Sequence, residues 1–209
     1  MSVSTGRNHS ASTEKKGRKQ ADRRGELIRI AASLFAAKGF KATTIRDIAD
    51  AAGIQSGSLY YHFDSKESMV EELIQHYWTT LLANYREVVA ADLGATETAR
   101  GLIRTSVVLL DECELALRLM LNDWTYLSEI FPVMEEYLDE TEAIWIDTLE
   151  RGIASKEFNP SVEPVITYRT IMSSISGTAR WFRPNGPLTA EELATEMGDV
   201  FLNGVIARP

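Results

Sequence analysis

The stretch that most limits what this chain can become is Thr43 to Phe63, TTIRDIADAAGIQSGSLYYHF. Two short helices that cross through a tight turn need a start signal, an amphipathic face and small residues at the crossing, and all three are present. Thr44 can cap a first helix with its hydroxyl, and Asp47, three positions on, favours the positive helix end. Ile45, Ile48 and Ala52 recur three and four apart, which predicts a buried face with Arg46, Asp47 and Asp50 opposite it. Ala49 and Gly53 are the small residues at the crossing. Gly53 takes positive φ without steric cost and ends the helix, and Ile54 is expected to tuck into the angle. A second helix, Gln55 to Phe63, keeps Leu59 and Phe63 as anchors and presents Ser56, Gly57, Ser58, Tyr60, Tyr61 and His62. Such a polar and aromatic face suits base edges and phosphates in a major groove. A plain helical hairpin would use the same turn residues; the Tyr60-Tyr61-His62-Phe63 run and Lys66 are what favour nucleic acid.

Net charge would argue the other way if it were spread evenly, since the 209 residues carry -8. It is divided instead. Residues 1–66 hold 12 Lys/Arg against 6 Asp/Glu, a net of +6, and residues 67–209 hold 10 against 24, a net of -14. The first part attracts phosphate and the second is repelled by it, so only one orientation on DNA is favourable. At 44% hydrophobic the chain can bury a sizeable core. No run approaches the roughly 20 apolar residues of a membrane span, and the N-terminus lacks a signal peptide's apolar centre, so the cytoplasm is the expected compartment and no membrane partner is expected. The single cysteine, Cys113, excludes an internal disulfide and, among Val107 to Leu110, reads as a small hydrophobe.

Taken in order, residues 1–22 read as a basic flexible arm, with Lys15, Lys16, Arg18 and Lys19 continuing into Arg23 and Arg24. The arm is either a solvated tail or a minor-groove and phosphate contact. Residues 23–66 read as the helix-turn-helix DNA-binding domain, its first helix running from Arg23 to Lys38 on a Leu27, Ile30, Ala31, Leu34, Phe35 stripe. Asp64 and Glu67 have the spacing of a capping box for a long helix. Met69 through Val89 keep the 3.6 period, about 36 Å from Lys66 at the usual rise. That rod either spaces the two parts or transmits a rotation. Residues 67–209 read as a larger helical domain, with helices at about 96–113, 115–127, 132–153, 161–182 and 189–207, the last opened by Thr189 and Glu192. The expected fold class is therefore all-α.

The acidic part carries more Trp, Met and Leu than a spacer needs, and a cavity between helices is one use for it. In the last two helices Ile171, Ile175, Ala179, Leu193, Met197, Val200 and Phe201 are candidates for adhesion between two copies. No enzyme constellation appears: His9, His62 and His76 are dispersed, there is no nucleotide-binding glycine loop and no metal-ligand spacing, and no cofactor is expected.

With these residues in view, Glu26 to Val70 resembles the DNA-binding module of the TetR family of bacterial transcriptional regulators, through the GF end of the first helix, TTxxDIAxxAG, S-x-LYYHF and KE. Gln55 departs from it, standing where the family often has a capping Ser. The segment Arg180 to Thr189, with the module, is similar to TetR-type regulators of steroid and acyl-CoA catabolism in actinobacteria. The resemblance implies a homodimeric repressor on a palindromic operator, released by a small-molecule effector. Thr43, Thr44, Arg46, Tyr61, His62 and Lys66 would hold the phosphate backbone, Ser56, Gly57, Ser58 and Tyr60 would face the bases or pack on their methyl groups, and Gln55 counts with them as a DNA-binding residue at the helix start. An acyl-CoA thioester would ask for Arg169, Arg180 or Arg183 at its phosphates and for Trp124, Trp145 or Trp181 at its ring portion, while Met172 and Ser176, also candidates for the ligand, lie on the upstream helix face whose one cation is Arg169. Two alternatives stay open. Arg180 and Arg183 could pair with Glu191 or Glu192, leaving a neutral lipophilic effector and an efflux or resistance gene, or the aromatic residues could be core in an architectural DNA binder with no effector.

Overall fold

A computed structural model describes residues 7–183 and 186–205, with side chains at 23–183 and 186–203. The described residues form helices and no strands: α1 (Arg7–Lys38), α2 (Ile45–Ala51), α3 (Ser56–Tyr60), α4 (Lys66–Ala90), α5 (Ala95–Glu112), α6 (Glu114–Ile130), α7 (Val133–Ala154), α8 (Pro164–Thr178) and α9 (Ala190–Val205). They divide into two compact units with the boundary between Leu73 and Ile74. The first turns of α4 therefore belong with α1 to α3, because Met69 and Val70 are buried and Glu72 pairs with Arg24.

In the first unit the α1 stripe, Leu27, Ala31 and Phe35, is buried with Phe40, Ile48, Ala49, Leu59 and Phe63. Apolar spacing of three and four makes α1 amphipathic, and Gly39, at φ +86, ends it where a side chain would be strained. The helix begins well before Arg23, since Arg7–Lys38 is one element. Ala, Glu, Lys, Gln and Arg dominate residues 11–24, and these are strong helix formers, so the segment expected to be a flexible arm is helical from residue 7. The residues before it lie outside the described part.

The N-terminus of α4 differs from expectation. Ser65 and Ser68 cap it reciprocally, Ser68 N donating to Ser65 Oγ at 3.1 Å and Ser65 N to Ser68 Oγ at 3.3 Å, so the box is shifted by one residue from Asp64 and Glu67.

In the second unit the largest fully buried side chains include Trp145, Tyr85, Phe158 and Leu102. Its helices pack closely where glycine permits. A Cβ on Gly152 would stand 2.1 Å from the Phe158 ring, and one on Gly101 would stand 2.7 Å from Val88. Ion pairs tie α5 to α9, Arg100 to Asp199 at 2.8 Å and Arg104 to Glu191. Glu157 accepts from the backbone N–H groups of Ala95 and Thr96 at the start of α5, and those bonds hold its carboxyl below the usual range. α6 bends at Asp123, whose φ of -117 and ψ of 20 leave the helical region. Thr189 and Glu192 form the expected box ahead of α9.

Candidate nucleic-acid interface and effector cavity

The helix-turn-helix is held by its caps. Asp47 N donates to Thr44 Oγ1 at 3.1 Å, and Thr44 N donates to Asp47 Oδ2 at 2.8 Å, a closed capping box at the start of α2. Bonds from the Thr44 hydroxyl and backbone, with Lys38 nearby, lower the Asp47 carboxyl to about 2. Gly53 has φ +65, and Ile54 N donates to the Ala49 carbonyl at 3.0 Å, which closes the turn. Ile45 is only half-buried, the buried face of α2 being Ile48 and Ala49.

Gln55 stands at the N-cap of α3 and makes no side-chain capping bond. The helix is correspondingly short, Ser56–Tyr60 rather than Gln55 to Phe63, and its last turn closes by bonds from His62 N and Phe63 N to the Leu59 carbonyl. Gln55, Gly57, Ser58, Tyr60 and Tyr61 are exposed, the last at 77%, while Ser56 and His62 are half-buried. Arg46 is also open to solvent, 3.8 Å from Asp50 across one turn.

Two residues expected at the phosphates are placed differently. Thr43 is buried, and its hydroxyl donates to the Gly39 carbonyl at 2.9 Å. Lys66 Nζ donates to the Phe40 and Thr43 carbonyls at 2.9 and 3.1 Å and lies 4.3 Å from the centre of the Phe40 ring. Both therefore tie the end of α1 to the start of α2, a task that spacing alone does not distinguish from phosphate binding. Arg23 and Arg24, read as part of the arm, also bond inside this unit.

The second unit contains a cavity of about 480 Å³ between α4, α6, α7 and α8. Leu117, Met120, Leu121 and Trp124 of α6 form its apolar wall, with Leu138 and Thr141 of α7. Tyr77 and Trp78 of α4 and Tyr168, Met172, Ser173, Ser176, Gly177 and Arg180 on and just beyond α8 complete it. Of the side chains expected to bind a ligand, Trp124, Met172, Ser176 and Arg180 are thus brought together.

Trp145, Arg169 and Trp181 are not among them. Trp145 is fully buried, its indole N–H donating to the Tyr85 hydroxyl at 3.1 Å. Ser106 gives its own proton to the Leu102 carbonyl, so Tyr85 donates to Ser106 and the chain of bonds is complete. Burial pushes the Tyr85 phenol up to about 12. Arg169 is exposed on another face of α8, and Trp181 is 57% exposed beyond its end.

Tyr77 and Trp78 read in the sequence only as helix stripe and Tyr168 carries no sequence signal of its own, yet all three bring polar groups to the cavity. Among the described residues, no hydrogen bond is made by the Tyr77 or Tyr168 hydroxyl, and the Trp78 indole N–H is buried without a partner. Burial raises both phenols. Arg180 is the one cation on the lining, and no acid among the described residues takes it up: Glu191 pairs with Arg104, and Glu192 caps α9.

The residues expected to adhere between two copies differ in exposure. Ile171, Ile175, Ala179 and Leu193 are buried within the protomer, because α8 and α9 turn their branched residues toward α7 and α5. Met197 and Phe201 are half-buried, and Val200 is 70% exposed. The outward face of α8 carries Ile166, Thr170 and Ser174 at helical spacing.

An exposed, capped helix-turn-helix on a basic unit, followed by a helical unit with an apolar cavity, defines a DNA-binding transcriptional regulator with a small-molecule site. Residues 27–73 match the bacterial regulatory proteins of the tetR family, and residues 92–205 match the tetracyclin repressor-like C-terminal domain. The chain belongs to the TetR family, whose members bind operators, act as dimers and respond to small-molecule effectors, and which is not a family of enzymes. It is 38% identical over 188 residues to the HTH-type transcriptional repressor KstR2 of Rhodococcus jostii, covering 89% of this chain and 92% of that one. The KstR2 repressor of Mycobacterium tuberculosis is 37% identical over 185 residues, covering 88% and 92%. The solved structure of the ketosteroid transcriptional regulator KstR2 of Mycobacterium tuberculosis superposes with a TM-score of 0.86 at 36% identity, covering 89% and 96%. Among the described residues no helix is long and apolar enough to cross a membrane.

Proposed function

We propose that this chain is a ligand-released repressor of lipid or steroid catabolism genes, binding a palindromic operator as a homodimer. Two copies would offer Ser56, Gly57, Ser58 and Tyr60 to successive major grooves about 34–36 Å apart, with Thr44, Arg46, Tyr61 and His62 toward the phosphates. The effector would be an acyl-CoA thioester with a ring-bearing acyl group. The observation that carries this reading is Arg180, a guanidinium that no acid among the described residues pairs with, on the lining of a largely apolar cavity. A volume of about 480 Å³ fits the acyl portion. The CoA phosphates would then meet Arg180 from outside, where a bidentate fork matches them. The Tyr77 and Tyr168 hydroxyls leave polar contacts for oxygen atoms on the ring. The solved relative from Mycobacterium tuberculosis is a ketosteroid transcriptional regulator, which supports that class.

A ligand shifts the repressor only by its preference for the released state. Titration of a protein–operator complex with a ring-bearing acyl-CoA should release DNA, and the same thioester should raise the melting temperature of the free protein. Arg180→Met should weaken the thioester on the order of 10-fold, about 1.4 kcal/mol, and leave a neutral lipophile of the same ring unchanged. Equal loss for both compounds would remove Arg180 from the phosphates. Tighter binding of the neutral compound than of the thioester would move the protein to the efflux or resistance class.

A further inference from the structure

The two arginines that begin the described side chains, Arg23 and Arg24, do not project toward solvent as a basic arm would. Arg23 Nη1 pairs with Glu26 at 2.6 Å, and Nη2 donates to the Ala52 carbonyl at 3.3 Å, where α2 ends. Arg24 reaches three groups at once. Its Nε donates to Glu72 Oε2 at 3.0 Å, one Nη to the same oxygen at 2.6 Å, and the other Nη to the His62 carbonyl just past α3. Its guanidinium carbon lies 4.0 Å from the centre of the Phe63 ring.

We infer that Arg24, oriented by Glu72, is a positioning residue for DNA recognition: it fixes the C-terminal end of the recognition helix against α1 and α4. The His62 carbonyl lies just past the C-cap Tyr61, outside the helix's own ladder of bonds, and α3 is short enough for that end to matter. Its N-terminus has no side-chain cap, so the helix is secured by the buried Leu59 and Phe63 side chains and by this carbonyl. Tyr60, Tyr61 and His62, which the proposed function on which this inference rests turns toward the duplex, lie between or beside them.

A planar fork with five donors can satisfy a carboxylate and a carbonyl together and still stack on a ring; an ammonium at the same place cannot. Arg24 and Glu72 are 39% and 40% exposed, so the ion pair itself adds little to stability. Its effect lies in geometry. A guanidinium already shared between Glu72 and His62 is also not free to neutralise a phosphate.

Positioning and phosphate contact separate cleanly by experiment. The probe is the duplex that the full-length protein enriches from a random-sequence pool, with affinity measured across a series of salt concentrations. On charge alone, Glu72→Gln removes a negative group from a DNA-binding unit and would tighten binding. The positioning role has the opposite sign: Glu72→Gln is expected to weaken binding on the order of 10-fold with the salt slope unchanged. Arg24→Lys, which keeps the charge and loses the fork, is expected to do the same, and Arg24→Met with Glu72→Gln is expected to lose no more than either alone. Amide exchange in the free protein provides a reading independent of DNA, with His62 and Phe63 exchanging faster in Glu72→Gln while the melting temperature holds. Unchanged or tighter binding by Glu72→Gln overturns the inference, as does unchanged exchange at His62 and Phe63. So does a salt slope reduced by about one in Arg24→Met, which would make Arg24 a phosphate ligand.

Discussion

The two units differ in how their polar side chains are spent. In the first, the groups that hold its turns are committed to one another: Thr43 to Gly39, Thr44 to Asp47, Lys66 to Phe40 and Thr43, Arg24 to Glu72 and His62. What remains open is a surface, Tyr60 and Tyr61 above all. In the second unit, Tyr77, Trp78, Tyr168 and Arg180 line a cavity with their polar atoms unanswered by protein among the described residues. A surface that must fit a rigid duplex gains from being fixed before contact. A site whose occupancy is the signal gains from polar groups that only the ligand satisfies, since those bonds contribute differential affinity.

The comparison can be broken by substitution. The largest effects belong to the committed groups and to close packing. Lys66→Met leaves two carbonyls short of a charged donor and should cost about 2 kcal/mol, seen as a melting temperature lower by several degrees. Its salt slope for DNA should not change, whereas a phosphate contact would reduce it by about one. Gly152→Ala drives a methyl group into the Phe158 ring and should cost about 1–3 kcal/mol in denaturant unfolding.

Thr44→Ala removes an N-cap and should cost about 1 kcal/mol. Its pH dependence is specific. The folded Asp47 titrates at about 2, below its unfolded value of roughly 3.9. Its stabilising contribution is therefore present above about pH 4 and is lost as pH falls toward 2. The gap between wild type and Thr44→Ala should narrow across that window. Tyr168→Phe should change stability least, by less than about 0.5 kcal/mol, because no group among the described residues answers its hydroxyl. A large loss there would mean the cavity is structurally committed after all.

Much of the first unit was legible because its signals are local. A cap, two small residues and a glycine with positive φ specify the hairpin within a dozen positions, and Thr44, Asp47, Gly53 and Leu59 do what their spacing predicts. What could not be read was which partner a cation takes. Arg24 and Glu72 are 48 residues apart in the chain, and Lys66 reaches back 26 to Phe40. Basic residues beside a DNA-binding motif invite assignment to phosphate, and only the fold distinguishes the inward ones.

In the second unit the helices were legible from period and caps, but their rotation was not. α8 has branched residues on one face and small or polar ones on the other, and either face could be turned to the interior. Ile171 and Ile175 look inward, which leaves Ile166, Thr170 and Ser174 outward and turns Ser176 and Gly177 to the cavity. The same ambiguity hid Tyr77 and Trp78, whose stripe also faces a cavity.

The four tryptophans fall into distinct settings. Trp145 is sealed and hydrogen-bonded, Trp78 and Trp124 border the cavity, and Trp181 stands in solvent. Their emission should therefore spread from blue to red within one spectrum. A compound entering the cavity should alter the middle of that spectrum and leave both wings in place. The protein thus carries an intrinsic optical gauge of occupancy, one that needs neither label nor DNA.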